Sequence, residues 1–85
     1  MNFTVEKNRI YYAVNEKVLA EITFIDQEPN SMVINHTFVD ESLRGQGVAS
    51  QLMQAAVEEI KRQNKHIEAS CSYAIQWLHK HHDEA

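Results

Sequence analysis

Cysteine, proline and glycine are almost missing from these 85 residues, which hold one Cys, one Pro and two Gly. A lone Cys71 excludes an internal disulfide framework and fits a reducing compartment. Because Gly is so scarce, the positions that do carry it mark places where the backbone has a special need. Basic charge is also short. Eight Lys and Arg stand against twelve Asp and Glu, a formal net charge of −4. A protein gripping nucleic acid by its phosphates needs a basic stripe, and this balance speaks against one. The local clusters (Lys61, Arg62, Lys65 and His66, then the tail His79-Lys80-His81-His82) suit a small anionic ligand instead. No apolar run is long enough for a membrane span, and Met1-Asn2-Phe3-Thr4-Val5 lacks the charged-then-apolar layout of a leader. The expectation is one cytoplasmic domain over residues 1–85, with neither membrane nor nucleic acid as a partner.

What is present is ordinary globular material, 44% hydrophobic and 24% charged. Up to Asp40 the pattern has the period of strands. Phe3 and Val5 alternate with Thr4 and Glu6, and Asn8-Arg9 reads as a short turn. Ile10, Tyr12 and Val14 alternate with Tyr11 and Ala13, and Asn15-Glu16-Lys17 reads as a hairpin turn, since Asn tolerates positive φ. In Val18 to Asp26 one face carries Ala20, Ile22 and Phe24. After the only Pro, a fourth strand from Met32 to Val39 puts Met32, Ile34, His36 and Phe38 on one face, with Val33, Asn35, Thr37 and Val39 on the other. The period then changes. Val48, Leu52, Met53, Ala55/Ala56, Val57 and Ile60 form a helical stripe over 47–63, with Glu58 and Glu59 near its polar flank. Lys61 and Arg62 suit the helix's negative end, and Asn64 its C-terminal cap. His66 to Ala69 reads as a fifth strand. Ser70 or Ser72 is the expected cap of a last helix that turns Ala74, Ile75 and Leu78 inward. The order of four strands, a helix, a strand and a helix predicts an α/β architecture (α+β by layers).

Both glycines fall in Arg44-Gly45-Gln46-Gly47-Val48-Ala49, between the fourth strand and the long helix. A Gly-bearing loop that opens directly into a helix aims unpaired N–H groups, at the helix's positive end, toward a phosphate or pyrophosphate. Gly45 and Gly47 permit close approach or positive φ, Ala49 keeps the first turn slim, Arg44 adds a charge-assisted contact, and Ser50 is counted with the loop as a binding residue. The P-loop fails for want of a Gly-Lys-Ser/Thr ending, and the dinucleotide fingerprint for want of a third small residue and a parallel setting. The plain alternative is a tight turn in which the glycines only bend the chain.

Arg44-x-x-Gly47-x-Ala49 resembles the Arg/Gln-x-x-Gly-x-Gly/Ala signature of the GNAT acyl-CoA N-acyltransferases, and it sits where that family carries it. The chain is more similar still to a small GNAT-like acetyl-CoA-binding subfamily, with His36-Thr37-Phe38-Val39 before the loop and Cys71-Ser72-Tyr73 after the fifth strand. The resemblance implies a minimal GNAT fold: a mostly antiparallel five-stranded sheet whose fourth and fifth strands run parallel and splay apart, with two helices. It implies acetyl-CoA as cofactor, with its pyrophosphate on residues 44–50 (Gln46 among them) and its pantetheine arm along backbone near Phe38 and Val39. The thioester would lie near Cys71. The chain is shorter than an ordinary GNAT domain, so cofactor binding carries over better than catalysis.

Three residues are candidates for chemistry. Cys71 stands between a strand end and a helix start, a setting that makes thiols nucleophilic; it is either an acetyl acceptor or a small buried hydrophobe. His36 is either a general base for an incoming amine or a hydrogen-bonded sheet residue. Tyr73 is either a proton donor to the departing CoA thiolate or a half-buried aromatic. Trp77 reads as packing. The His79–His82 tail lacks a carboxylate or Cys partner at ligand spacing, so no metal is expected. The expected activity is acetyl transfer to an unidentified amine, on a small molecule or a protein; the alternative is a module that binds or senses acetyl-CoA without turnover.

Overall fold

A computed structural model describes residues 1–81. Five strands form one sheet in the order β1 (Thr4–Glu6), β2 (Arg9–Val14), β3 (Lys17–Gln27), β4 (Ser31–Val39) and β5 (His66–Ala69). The first four strands pair antiparallel with their sequence neighbours, and β5 pairs parallel to β4. Between β4 and β5 the chain passes through a short 3-10 turn (Glu41–Leu43) and helix α1 (Val48–Arg62); α2 (Ser72–Lys80) follows β5. This is the predicted architecture, with α1 one residue shorter at each end than its stripe suggests. Among the described residues, neither helix is long and apolar enough to cross a membrane.

Local sequence explains most of the joints. The β2–β3 hairpin closes through Asn15 and Glu16, both at positive φ (51° and 68°), the twist that a two-residue turn needs. The first turn lies at Lys7 and Asn8, one residue earlier than expected, and Arg9 already belongs to β2. Asn8 turns inward there: its amide donates to the Phe24 carbonyl at 2.8 Å, and its own carbonyl accepts from the Phe24 N–H at 3.1 Å. At the far end of α1, Asn64 adopts φ 59°. The N–H groups of Lys65 and Asn64 return to the carbonyls of Ile60 and Lys61, a paired closure that ends the helix.

Helices cover one face of the sheet. The core joins Ile10, Ala20, Ile22, Phe24, Met32 and Ile34 from the strands to Val48, Leu52, Met53, Ala56, Val57 and Ile60 of α1 and to Ala74 and Trp77 of α2. Glu59 is buried within this stripe rather than on its polar flank. Arg62 makes that possible by clasping its carboxylate with two nitrogens at 3.0 and 2.6 Å, and Gln63 adds a third bond at 2.9 Å. In α2 the inward pair is Ala74 and Trp77, while Ile75 is half exposed. Ile75 follows Ala74 by about 100° around the helix, which carries it off the stripe, whereas Trp77 returns to it. The Trp77 indole N–H donates to the Ser50 hydroxyl at 2.9 Å and so ties α2 to α1.

A bulge breaks the alternation along β4. Phe24 pairs with Ile34 but Thr23 pairs with His36, so Asn35 is an extra residue and two residues there face one. Met32 and Ile34 point into the core. Past the bulge, Thr37 and Val39 take the core side, opposite the buried Ile22 and Ala20, while His36 and Phe38 are exposed on the uncovered face. The expected grouping of His36 with Met32 and Ile34 is therefore corrected. One inserted residue inverts every position after it.

Candidate functional site

β5 is short. Its last pair with β4 is Ala69 opposite Ile34, after which Ser70 donates its N–H to the Ile34 carbonyl and the chain turns into α2. β4 runs on through residues 35–39 with no strand among the described residues beside them on that side. The expected splay is thus the consequence of one strand outlasting its neighbour.

A groove of about 370 Å³ opens where the strands part. The end of β4 supplies Thr37, Phe38 and Val39; the loop supplies Leu43, Arg44, Gly45 and Gly47; α1 supplies Val48, Ala49 and Ser50; α2 supplies Tyr73. The loop is built by local bonds. Asp40 accepts from the N–H and the hydroxyl of Ser42, at 3.0 and 2.7 Å, and these bonds hold its carboxyl below the ordinary range. Gly45 and Gly47 sit at φ 80° and 74°, where a side chain would strain the backbone although a β-carbon would meet nothing within 4 Å. Gly47 caps α1 without a side chain, and the first turn holds no acidic residue. The helix's positive end therefore faces the groove with its N–H groups uncapped, beside the Arg44 side chain. This cradle of glycine backbone, helix terminus and guanidinium is chemically suited to a phosphate-bearing ligand.

Three expected site residues lie apart from this groove. Gln46 turns back so that its amide donates to the Ser42 carbonyl at 3.5 Å. His36 stands on the opposite, open face of the sheet beside Thr23, whose hydroxyl donates to Asn35 at 2.7 Å. Cys71 is itself the N-cap of α2, with extended φ −86° and ψ 144°, and packs partly buried against the core; neither Ser70 nor Ser72 holds that cap. Tyr73 does reach the groove, and burial pushes its phenol above its ordinary 10.0. Thr37 and Leu43 also line the groove, although neither was among the expected site residues. Thr37 was hidden by the bulge, whereas Leu43, an apolar residue in a polar loop, was visible in the sequence. Of the basic tail, His81 stacks on Trp77 with ring centroids 4.0 Å apart, and His82 lies outside the described residues.

The sequence model of the GCN5-related N-acetyl-transferase family matches residues 9–85. The chain belongs to this family. Among solved structures, a GCN5-like protein from Staphylococcus aureus shares 37% identity over 98% of this chain and 82% of its own, with a TM-score of 0.80. Ard1 from Thermoplasma volcanium shares 26% identity over 86% of this chain, with a TM-score of 0.67. The ribosomal-protein-alanine N-acetyltransferase from Brucella melitensis biovar Abortus shares only the fold, at 18% identity over 75% of this chain and a TM-score of 0.60. This chain spans 53% and 51% of those two proteins. No curated protein sequence matches it. Membership explains the order of elements and supports acetyl transfer as the general chemistry.

Proposed function

We propose that this acetyltransferase-family chain binds acetyl-CoA in the groove beyond the β4–β5 fork, as one domain, and transfers the acetyl group to an amine. The observation that carries the reading is the convergence of an uncapped α1 terminus, two positive-φ glycines and Arg44 with the stretch of β4 that runs on beyond β5 in one groove. Arg44 and the N–H groups of residues 45–50 would hold the pyrophosphate. The backbone of Phe38 and Val39 would pair with the pantetheine amides, and strand N–H groups would stabilise the oxyanion formed at the thioester carbon. Tyr73, whose phenol burial holds above its ordinary range, would protonate the departing thiolate. Two routes deliver the acetyl group: direct amine attack with His36 as base, or transfer through Cys71. The segments His36-Thr37-Phe38-Val39 and Cys71-Ser72-Tyr73 favour the small acetyl-CoA-binding subfamily over larger relatives.

A second reading, a module that binds acetyl-CoA without turnover, is favoured by one observation: neither His36 nor Cys71 lines the groove. Calorimetric titration with acetyl-CoA, followed by an amine panel scored for free CoA and acetylated product, separates the readings. Binding with amine-dependent CoA release supports the enzyme, and binding with only slow thioester hydrolysis supports the module. Absence of binding refutes both. An acetyl adduct seen by mass spectrometry in wild type and lost in Cys71→Ala assigns the covalent route.

A further inference from the structure

β5 leaves one edge of the sheet open. Its inner side pairs with β4, and among the described residues no strand lies along its outer side. Two bonds show which backbone groups face β4: His66 donates its N–H to the Asn30 carbonyl and Ser70 donates its N–H to the Ile34 carbonyl, each at 2.9 Å. N–H groups alternate sides along a strand, so those of Ile67 and Ala69 point out of the open edge. Side chains alternate as well. Ile67 and Ala69 pack against the core on the helical side, while His66 and Glu68 are exposed on the uncovered face. We propose that this edge pairs antiparallel with β5 of a second copy of the chain, about a two-fold axis through Ile67, so that one sheet runs across both copies.

Side-chain chemistry selects the register. Directly opposed residues of an antiparallel pair share a face, so the axis must pass through a residue. An axis at Glu68 sets two carboxylates against each other, and one at His66 sets two imidazoles. The axis at Ile67 sets each His66 opposite the partner's Glu68, a nitrogen donor against a carboxylate, twice over, at the positions where opposed side chains come closest. It also lets Ile67 and the partner's Ile67 exchange their outward N–H and carbonyl groups. The helical side fits the same axis. α2 lies over β4 and β5. Trp77 is tied toward α1 by Ser50, and Ile75 lies about 160° around the helix from it, so the half-exposed Ile75 faces away from α1, toward the open edge. Strands pair about 4.8 Å apart, so a helix seated between β4 and β5 comes about 10 Å from its counterpart, the spacing of packed helices. The two α2 helices then close over the paired Ile67 residues. The chain's own end, His82-Asp83-Glu84-Ala85, suits the edge less: its acids would meet Glu68, and it has no large apolar side chain to lay on Ile67.

Sedimentation equilibrium of the full chain tests this. The edge is four residues long and each copy carries a net charge of −4, which opposes association. Wild type should therefore dimerise weakly, with a Kd of about 50 µM. Ala69→Pro removes an N–H that faces outward and should abolish the dimer while the thermal melt stays cooperative. Glu68→Lys should weaken the dimer about tenfold, and adding His66→Glu should restore it, because a carboxylate and a cation then face each other again. That rescue decides the matter even where Ala69→Pro fails to fold. A wild type that stays monomeric up to about 1 mM overturns the proposal. So does a dimer that Glu68→Lys leaves intact, which would place the contact at β1 or on another surface, and so does a Glu68→Lys loss that His66→Glu does not repair.

Discussion

Gly47→Asp separates what the loop does for the fold from what it does for a ligand. At φ 74° an L-residue carries about 1 kcal/mol of backbone strain, and no clash adds to it because a β-carbon there meets nothing within 4 Å. A carboxylate beside the positive end of α1 returns about 0.5 kcal/mol. The folded state should therefore lose less than about 1 kcal/mol, a melting shift under about 8 °C for a chain of this size. Ligand binding should suffer more than folding does. A negative charge about 5 Å from a doubly charged pyrophosphate, in a groove open to water, costs about 2 kcal/mol, or about thirtyfold in Kd. Gly47→Asn is the control: it matches Asp in size, tolerates the left-handed region and carries no charge. Calorimetry with CoA and a thermal melt should show Asp crippled in binding, Asn retaining most of its affinity, and both folded. Added salt should narrow the gap between them. Equal losses in Asp and Asn would make the effect steric and refute the electrostatic argument. No loss in either would reduce the loop to a turn.

Three other perturbations follow from the geometry. The Arg62 guanidinium holds Glu59 below its ordinary 4.5, so the folded chain takes up this proton less readily than the unfolded one. That contribution is present above about pH 4.5 and is lost as the pH falls through the lower folded value. Glu59→Gln should cost about 1 kcal/mol in urea unfolding at pH 7, a deficit that shrinks at pH 3. Trp77→Phe removes the bond to Ser50 and should destabilise by about 1–2 kcal/mol. Ser50→Ala should be non-additive with it, whereas additive losses in the double mutant would show that the two helices are not joined there. Tyr73→Phe should lower acetyl transfer about a hundredfold with CoA affinity unchanged; a loss confined to affinity would make Tyr73 a wall of the groove and not a proton donor.

The readable parts of the sequence were those with a local cause. The stripe of α1 repeats over four turns, so no single residue could hide it. The Asn15-Glu16 hairpin, the Asn64 closure and the paired glycines each rest on a backbone conformation that few residue types accept, and identity alone points to them. What escaped depends on other segments. Asn35 becomes a bulge only because β3 pairs with two registers of β4, and no alternation within β4 reveals that. Trp77 turns inward because Ser50, 27 positions earlier, receives its N–H. Glu59 enters the core because Arg62 and Gln63 neutralise and saturate it. The glycine loop was legible for the first reason, and the placement of His36 was misread for the second.

The bulge bears on the open question of catalysis. Asn35 follows Ile34 directly, and Ile34 is the last residue of β4 that β5 reaches. A bulge bends and twists its strand, so β4 turns at the same level where its neighbour stops, and the free edge that lines the groove begins there. The same inversion sorts the two candidate catalysts onto opposite sides of the sheet. His36 is exposed on the uncovered face beside Thr23, and Cys71 is packed on the helical side at the start of α2. Separated by the sheet itself, they cannot act as a thiol–imidazole pair within hydrogen-bond reach. The reaction must then use one of them or neither. An amine that approaches over the open face can meet His36 but not Cys71, and a thiol that takes the acetyl group needs no help from His36. At most one of His36→Ala and Cys71→Ala should therefore abolish acetyl transfer. Comparable losses in both, with CoA affinity intact, would mean that the two groups do cooperate and that the β4 bulge does not part them as described.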